Sequence, residues 1–225
     1  MSRILIELHC HTQDHSYDGR IAAEEMVRIL VKKKFAGVVI TEHSYIWPME
    51  ELEELRTKAG APRSFLMLSG QEVRCTLNEV VLGDLLVYGA ERNLPDGTSP
   101  LEIFEILKAT GGFCTAPHAG VPRIGFGDQV RSFPITAVET WNGRYGPIAA
   151  ANSRIIAEES GLPIVGGSDS HKEDEVGGGG TIFPRMPASL QDIKHMIEGG
   201  ECKPWQPGPL DKALRWIKAR NSEDD

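Results

Sequence analysis

The chain has 225 residues, 40% of them hydrophobic and 25% charged, with a formal net charge of −8. This is the composition of a soluble globular chain long enough for one large α/β domain. The acidic balance argues against an extended nucleic-acid surface, which needs basic residues to release counterions, yet it allows a small phosphorylated ligand held by a few local arginines.

ILIEL (4–8) reads as the first strand, interrupted by Glu7. Ala23, Met26, Val27, Leu30 and Lys34 then share one helix face. GVVIT (37–41), FLMLSGQEV (65–73) and DLLVYG (84–89) are the next three strands. Ser99-Pro100-Leu101-Glu102 opens a helix as a capping box with proline at its first position, and Gly111-Gly112 stops it. GGFCTAP (111–117), AVETW (137–141) and PIVGGS (163–168) bring the strands to seven, with a helix over about 148–160 ending at Gly161. TIF (181–183) adds an edge strand, Ser189 and Asp192 cap a helix that stops at Gly199, and a last short helix starts near Leu210.

Strands alternating with helices predict a mostly parallel sheet, open or closed into a barrel. The expected organisation is a barrel over 1–188 with C-terminal helices, 189–225, packed on the same domain. The VGGGG run (176–180) lacks the strand-to-helix context of a phosphate loop and reads as a flexible connection. No apolar run approaches the roughly 18 residues of a membrane span. Neither a membrane segment nor a secretory leader is expected, and a cytoplasmic location is the expectation. Cys10, Cys75, Cys114 and Cys202 never form C-x-x-C and read as reduced, packed thiols.

The histidines are unevenly placed. Three of the chain's seven fall within HCHTQDHSYDG, from His9 to Gly19. His9 and His11 close the first strand and Glu42-His43 the second. Glu72 lies near the end of the third, His118 follows the fifth, Glu139 ends the sixth, and Asp169-x-His171 follows the seventh. His195, mid-helix among charged neighbours, reads as solvated surface. In parallel α/β folds the C-terminal strand ends carry the active site. Residues i and i+2 of a strand point the same way, so His9 and His11 can serve one ion, as can Asp169 and His171. A nitrogen and oxygen set without thiolate suits Zn²⁺, Mn²⁺ or Fe and disfavours Ca²⁺. The ligands are too many for one ion, and a carboxylate such as Glu72 can bridge two ions about 3.5–4 Å apart.

The segments ELHCHT, HSYDG, ITEH, SGQEV, GDLLVYG, APHAG, VETWNGR and GGSDSHKEDEVG follow one another along the chain. In that order they make it resemble the polymerase-and-histidinol-phosphatase (PHP) superfamily of metal-dependent phosphoesterases, over roughly residues 4–185. The resemblance implies a distorted seven-stranded β/α barrel, here with a short C-terminal helical tail, holding two or three divalent transition-metal ions. Transferred by motif, His9, His11, Glu72 and Asp169 bind one ion, while Glu72, Asp84 and His118 bind a second. His43 and His171, with Asp18, bind the third. Three positions depart from the commoner family pattern: TEH for TDH, Asp84 where a histidine is frequent, and His15 near a position that some members use as a ligand. Asp18 is preferred to His15 because YDG matches the commoner aspartate-glycine pattern.

The expected activity is hydrolysis of a small phosphomonoester, a nucleotide or similar, with Glu72, Asp169 and His15 as catalytic residues. Ions bridged by Glu72 would lower the pKa of a hydroxide that attacks phosphorus in line. Arg144 or Arg123 would clamp the phosphate, and His15 or metal-bound water would protonate the leaving oxygen. Histidinol phosphate and an oligonucleotide trimmed from one end are alternative substrates. An amidohydrolase typically has a bridging lysine where this chain has Glu72, and a non-catalytic metal-binding module would have lost ligands that this chain keeps.

Overall fold

The computed structural model describes residues 4–208. Its strands are β1 (Ile4–Glu7), β2 (Gly37–His43), β3 (Leu66–Leu77), β4 (Val80–Tyr88), β5 (Phe113–Ala116), β6 (Ala137–Asn142), β7 (Ile164–Gly167), β8 (Gly180–Phe183) and β9 (Lys203–Trp205). The helices are α1 (Ala23–Lys32), α2 (Met49–Ala59), α3 (Pro100–Thr110), α4 (Gly146–Ser160) and α5 (Leu190–Glu198). The strands form one sheet in the order β7-β6-β5-β4-β3-β2-β1-β8-β9.

The seven expected strands are β1 to β7. The sheet nevertheless has nine strands, because β8 pairs antiparallel with β1 and β9 with β8. Three-residue β9 is short and contains Pro204, so no periodic pattern marks it. The expected helix from Leu210 lies outside the described residues. α2 also lay beyond the sequence reading: only Leu52, Leu55 and Ala59 are buried along its eleven residues, and the rest is mainly charged. α3 realises half of its expected capping box. The Ser99 side chain accepts from Leu101 N, while Glu102 pairs with Arg92 instead of reaching back.

β1–β2–β3 and β5–β6–β7 are parallel, but β4 runs antiparallel to both neighbours. The β3–β4 hairpin turns at Asn78 and Glu79, both with positive φ (50° and 66°), the backbone of a type I′ turn. Reversing β4 has a consequence for the site. Strands β1, β2, β5 and β7 contribute residues at or just past their C-terminal ends, whereas β4 presents Asp84 from its middle, diagonally across from Glu72 of β3.

The sheet closes along a seam between β1 and β7. The Asp169 amide donates to the His9 carbonyl (2.8 Å) and the His11 amide to the Ser170 carbonyl (2.9 Å). Below these bonds, the Glu7 carboxylate accepts from the His9 and Ser168 amides (3.1 and 2.9 Å). Lower still, the Thr181 hydroxyl of β8 bonds to both the amide and carbonyl of Gly166.

The VGGGG run is part of this packing and is not a flexible connection. Val176 to Gly180 are all buried, and a Cβ on Gly179 would collide with the Gly167 carbonyl oxygen. Glycine is required there because two backbones touch.

Three apolar clusters surround the sheet. Met26, Leu30, Leu52 and Leu55 of α1 and α2 pack on Val38 and Ile40. Ile103, Leu107 and Ala157 of α3 and α4 pack on Val73, Val87 and Val138. Ile193, Met196 and Ile197 of α5 join Ile6, Leu8, Val39, Leu86 and Phe113 in the third. All four cysteines are buried and unpaired, and His195 is exposed, as expected.

Candidate metal centre

The strand ends bring the ligand-type side chains to one place. Glu72 is at its centre, only 3% exposed. Its carboxylate oxygens lie 3.0 Å from His118 Nε2, 3.1 Å from His11 Nε2, 3.4 Å from His9 Nε2 and 3.8 Å from His43 Nε2. Asp169 Oδ1 is 3.5 and 3.6 Å from the same nitrogens of His9 and His11. Three sets of ligand atoms converge within 4.8 Å: His9, His11 and Asp169; His9, Glu72 and His118; and His11, Asp18, His43 and His171.

Supporting hydrogen bonds fix the rings. His9 Nδ1 meets Glu139 Oε1 at 3.0 Å, so its Nε2 is turned toward Glu72 and Asp169. Glu139 Oε2 accepts from the His118 amide and from Asn142, whose amide group also donates to Asp169. His171 Nδ1 lies 2.9 Å from the Asp169 carbonyl, leaving Nε2 for Asp18 Oδ2 at 3.0 Å. A carboxylate or carbonyl on the far nitrogen is the usual support of a metal-binding histidine, because it sets both tautomer and orientation.

Glu42 does the same through a loop. It accepts from the Thr12 amide and hydroxyl, the Ser16 hydroxyl and Trp47 Nε1, and Ser16 in turn meets His11 Nδ1 and the His43 amide. The glutamate of TEH therefore ties the β1–α1 loop to β2. Two residues at the site have left-handed backbone, His118 (φ 34°) and Asp169 (φ 54°). For non-glycine residues this costs on the order of 1 kcal/mol or more each, and such strain clusters at functional sites.

Burial opposes every charge here, yet the cluster supports several. Burial disfavours ionised Glu72, but the His9, His11 and His118 rings outweigh it and hold the carboxyl well below the ordinary carboxylate range. Burial likewise disfavours the His9 imidazolium, and Asp169, Glu139 and Glu72 outweigh that to raise its pKa. His11, for which burial prevails, is lowered to about 4.

The chemistry of these donors suits divalent transition ions: imidazole nitrogen and carboxylate oxygen, with no thiolate among the described residues of the clusters. His11 Nε2, His43 Nδ1, His118 Nδ1 and Asp18 Oδ1 are buried without a hydrogen-bond partner. Unpartnered buried polar atoms are costly and rare, and here three of the four belong to one ligand set or its immediate neighbours.

The remaining expected residues are placed less uniformly. The geometry seats Asp18, not His15, with His43 and His171. His15 stacks on Tyr45 (3.7 Å between centroids) with its Nε2 3.7 Å from Glu51. Arg144 Nη1 lies 2.8 and 3.1 Å from the two His171 nitrogens and 4.0 Å from Asp169. Arg123 is exposed on the loop after β5, with φ 75°, and is not among the residues brought together.

Asp84 is not a turn residue. It lies within β4 opposite Arg74, whose Nε and Nη2 hold its two oxygens, and it is 3.9 Å from His118 Nε2. Arg74 was invisible to sequence reading because its pairing with Asp84 depends on the hairpin register. Glu139 had a visible signal, its position at a strand end. The roles of Asn142 and Ser16 depend on loop geometry that no spacing reveals.

Residues 147–202 match the model of the PHP-associated family. An uncharacterized protein of Methanocaldococcus jannaschii is 29% identical over 147 residues, covering 60% of this chain and 80% of the relative. Among solved structures, PsfC from Pseudomonas syringae shares 17% identity with a TM-score of 0.70, covering 98% of this chain and 99% of that one. A two-domain Bacteroides vulgatus protein containing a predicted PHP-like metal-dependent phosphoesterase aligns at 16% identity and a TM-score of 0.68, over 96% of this chain and 70% of that one. The lesion-specific endonuclease EndoQ from Pyrococcus furiosus aligns at 14% identity and a TM-score of 0.62, over 90% of this chain but only 58% of that one. The match over residues 147–202 and the barrel fold shared with these structures make the chain similar to PHP proteins, in keeping with the order of its eight motif segments.

Proposed function

We propose that the protein is a metal-dependent phosphoesterase that hydrolyses a small phosphomonoester, a nucleotide or similar. The observation that carries this reading is Glu72, a buried carboxylate within 3.8 Å of four imidazoles at the C-terminal ends of three strands, β1, β2 and β5. In this reading His9, His11 and Asp169 hold one ion, with Glu72 shared toward His118, and Asp18, His43 and His171 hold another. Asp84 joins the His118 side to the extent that Arg74 releases it. Divalent ions seated there would neutralise phosphoryl oxygens and acidify an attacking water.

The chain's own groups do the rest. Glu139 and the Asp169 carbonyl keep the His9 and His171 rings oriented, so the acceptor nitrogens need no reorganisation during turnover. Arg144, beside His171 and 39% exposed along its side chain, reaches from solvent to the cluster and is placed to hold a phosphoryl oxygen. His15, on the rim, is outside hydrogen-bonding reach of the ligand cluster in this geometry and would serve only a leaving group extending toward Tyr45. The acidic surface favours a small substrate over a long polyanion.

Metal analysis of protein purified without chelator, paired with a phosphoester panel, tests this reading. At least two transition ions per chain and turnover of a phosphomonoester are expected. Fewer than one ion after supplementation with Zn²⁺, Mn²⁺ and Fe²⁺ would remove the metal centre. Faster cleavage of long single-stranded DNA or RNA than of mononucleotides, compared as kcat/KM, would instead move the substrate class toward that of the EndoQ neighbour.

A further inference from the structure

The rim of the metal centre carries an aromatic side chain that the phosphoesterase reading leaves unused. Tyr17 precedes Asp18 in the β1–α1 loop and is 77% exposed. Its ring stacks on the His43 imidazole, with centroids 4.7 Å apart and planes 23° from parallel. One face of the phenol ring therefore covers a candidate ligand while the rest of the ring is open to water. A tyrosine kept for packing would bury far more of itself.

The turn that carries the ring is held in place. The Ser16 amide donates to the Thr12 carbonyl (3.0 Å), the Gly19 amide to the Ser16 carbonyl (3.2 Å), and the Arg20 amide to the His171 carbonyl (2.7 Å). Gly19 packs against the Thr12 carbonyl so closely that a Cβ would collide with it. Tyr17 thus stands on a tight turn tied at both ends to the site, and docking a ring there orders little that is loose. Across the centre, Tyr145 packs edge-on to His118 with centroids 5.5 Å apart.

We propose that Tyr17 is the stacking platform for the leaving group, and that the substrate is a nucleoside monophosphate whose base lies on the exposed face of this ring. A phosphoryl group at Glu72, Asp18 and His43 would put the attached nucleoside over the rim that Tyr17 forms. Stacking recognises any base, since every base offers a π-face, and it is worth about 1–3 kcal/mol per base in single-strand binders. The inference rests on the phosphoesterase reading for the position of the phosphate.

The test compares binding by metal-loaded wild type, Tyr17→Ala and Tyr17→Phe, titrated calorimetrically with adenosine 5′-monophosphate and with ribose 5-phosphate. Wild type should bind the nucleotide about tenfold more tightly than the sugar phosphate, at about 1.4 kcal/mol per factor of ten. Tyr17→Ala should abolish that ratio and Tyr17→Phe should keep it. Equal affinities in wild type, or a ratio that survives in Tyr17→Ala, overturn the assignment. Parallel assays of both esters separate the two ideas. A Tyr17-dependent ratio without turnover defeats the phosphoesterase reading alone, whereas turnover without a ratio defeats the Tyr17 platform alone.

Discussion

The centre has two sides, and they handle charge differently. Toward β1, β2 and β7, the His11 ring stacks on His43 and His171 at 4.5 and 4.4 Å, with Asp18 and Asp169 alongside. The orphaned atoms His11 Nε2, His43 Nδ1 and Asp18 Oδ1 are on this side. Toward β3, β4 and β5, Asp84 faces Glu72 and His118 but already has a guanidinium on both oxygens. Even so, burial and the neighbouring Glu72 charge raise its carboxyl to about 6. The first side leaves three buried polar atoms unpartnered, against His118 Nδ1 on the second, and the second brings its own cation. Ions should therefore bind the first side more tightly, with the second open to competition from Arg74.

The largest effect should come from the residue that both sides share. Glu72→Gln removes the charge between them and should lower turnover by more than the ~10–100-fold typical of losing a supporting group. Wild-type phosphatase activity in this variant would take Glu72 out of the mechanism. Next, Glu139→Gln acts on the first side alone by weakening the hold on His9 Nδ1. It should cost ~10–100-fold in metal affinity, measured by competition with a chromophoric chelator. An unchanged affinity would mean that the His9 ring is fixed by packing.

Smaller changes are expected on the second side. Arg74→Met frees Asp84, and since a partly exposed ion pair is worth about 1 kcal/mol or less, the second ion should bind up to roughly fivefold more tightly. Asp84→Ala should weaken that ion and leave the first side loaded. If Asp84→Ala keeps full occupancy and normal turnover, Asp84 serves only as the counter-ion of Arg74. The smallest effect should come from Glu42→Asp, which restores the commoner TDH pattern. The shorter arm still reaches Thr12 or Ser16 but not all four donors, so a loss of only a few-fold in metal affinity is expected, toward the low end of supporting-group effects. A loss as large as that of Glu139→Gln would place both carboxylates on an equal footing.

Much of this geometry was legible in the chain. The strand period and the glycine stops located all seven barrel strands, and histidines at strand ends pointed to one rim. What stayed hidden has physical causes. α2 buries too few residues to show a helical stripe, and β9 is too short to show a strand period. The glycine run looked like a loop because sequence cannot tell a glycine kept for freedom from one kept for contact. Asp84 was expected as a ligand, and the structure adds Arg74, brought opposite it by an antiparallel register. Tyr17 carries no sequence signal, because a lone exposed aromatic has no period at all.

The β1–β7 seam has a consequence for how the molecule comes apart. Its two amide bonds, from Asp169 to His9 and from His11 to Ser170, connect the stretches that carry four of the candidate ligands, His9, His11, Asp169 and His171. No long ladder backs them, unlike the β2–β3 pairing that runs from Gly37 to His43. An ion held by both edges would act as a rivet across the joint, and removing it leaves buried like charges facing one another. Deuterium uptake after chelation should then begin at the amides of His11 and Asp169, well before those of β2. If the centre holds metal as proposed, a cell short of that metal would see the barrel start to open at this seam, exposing the chain to proteolysis there first.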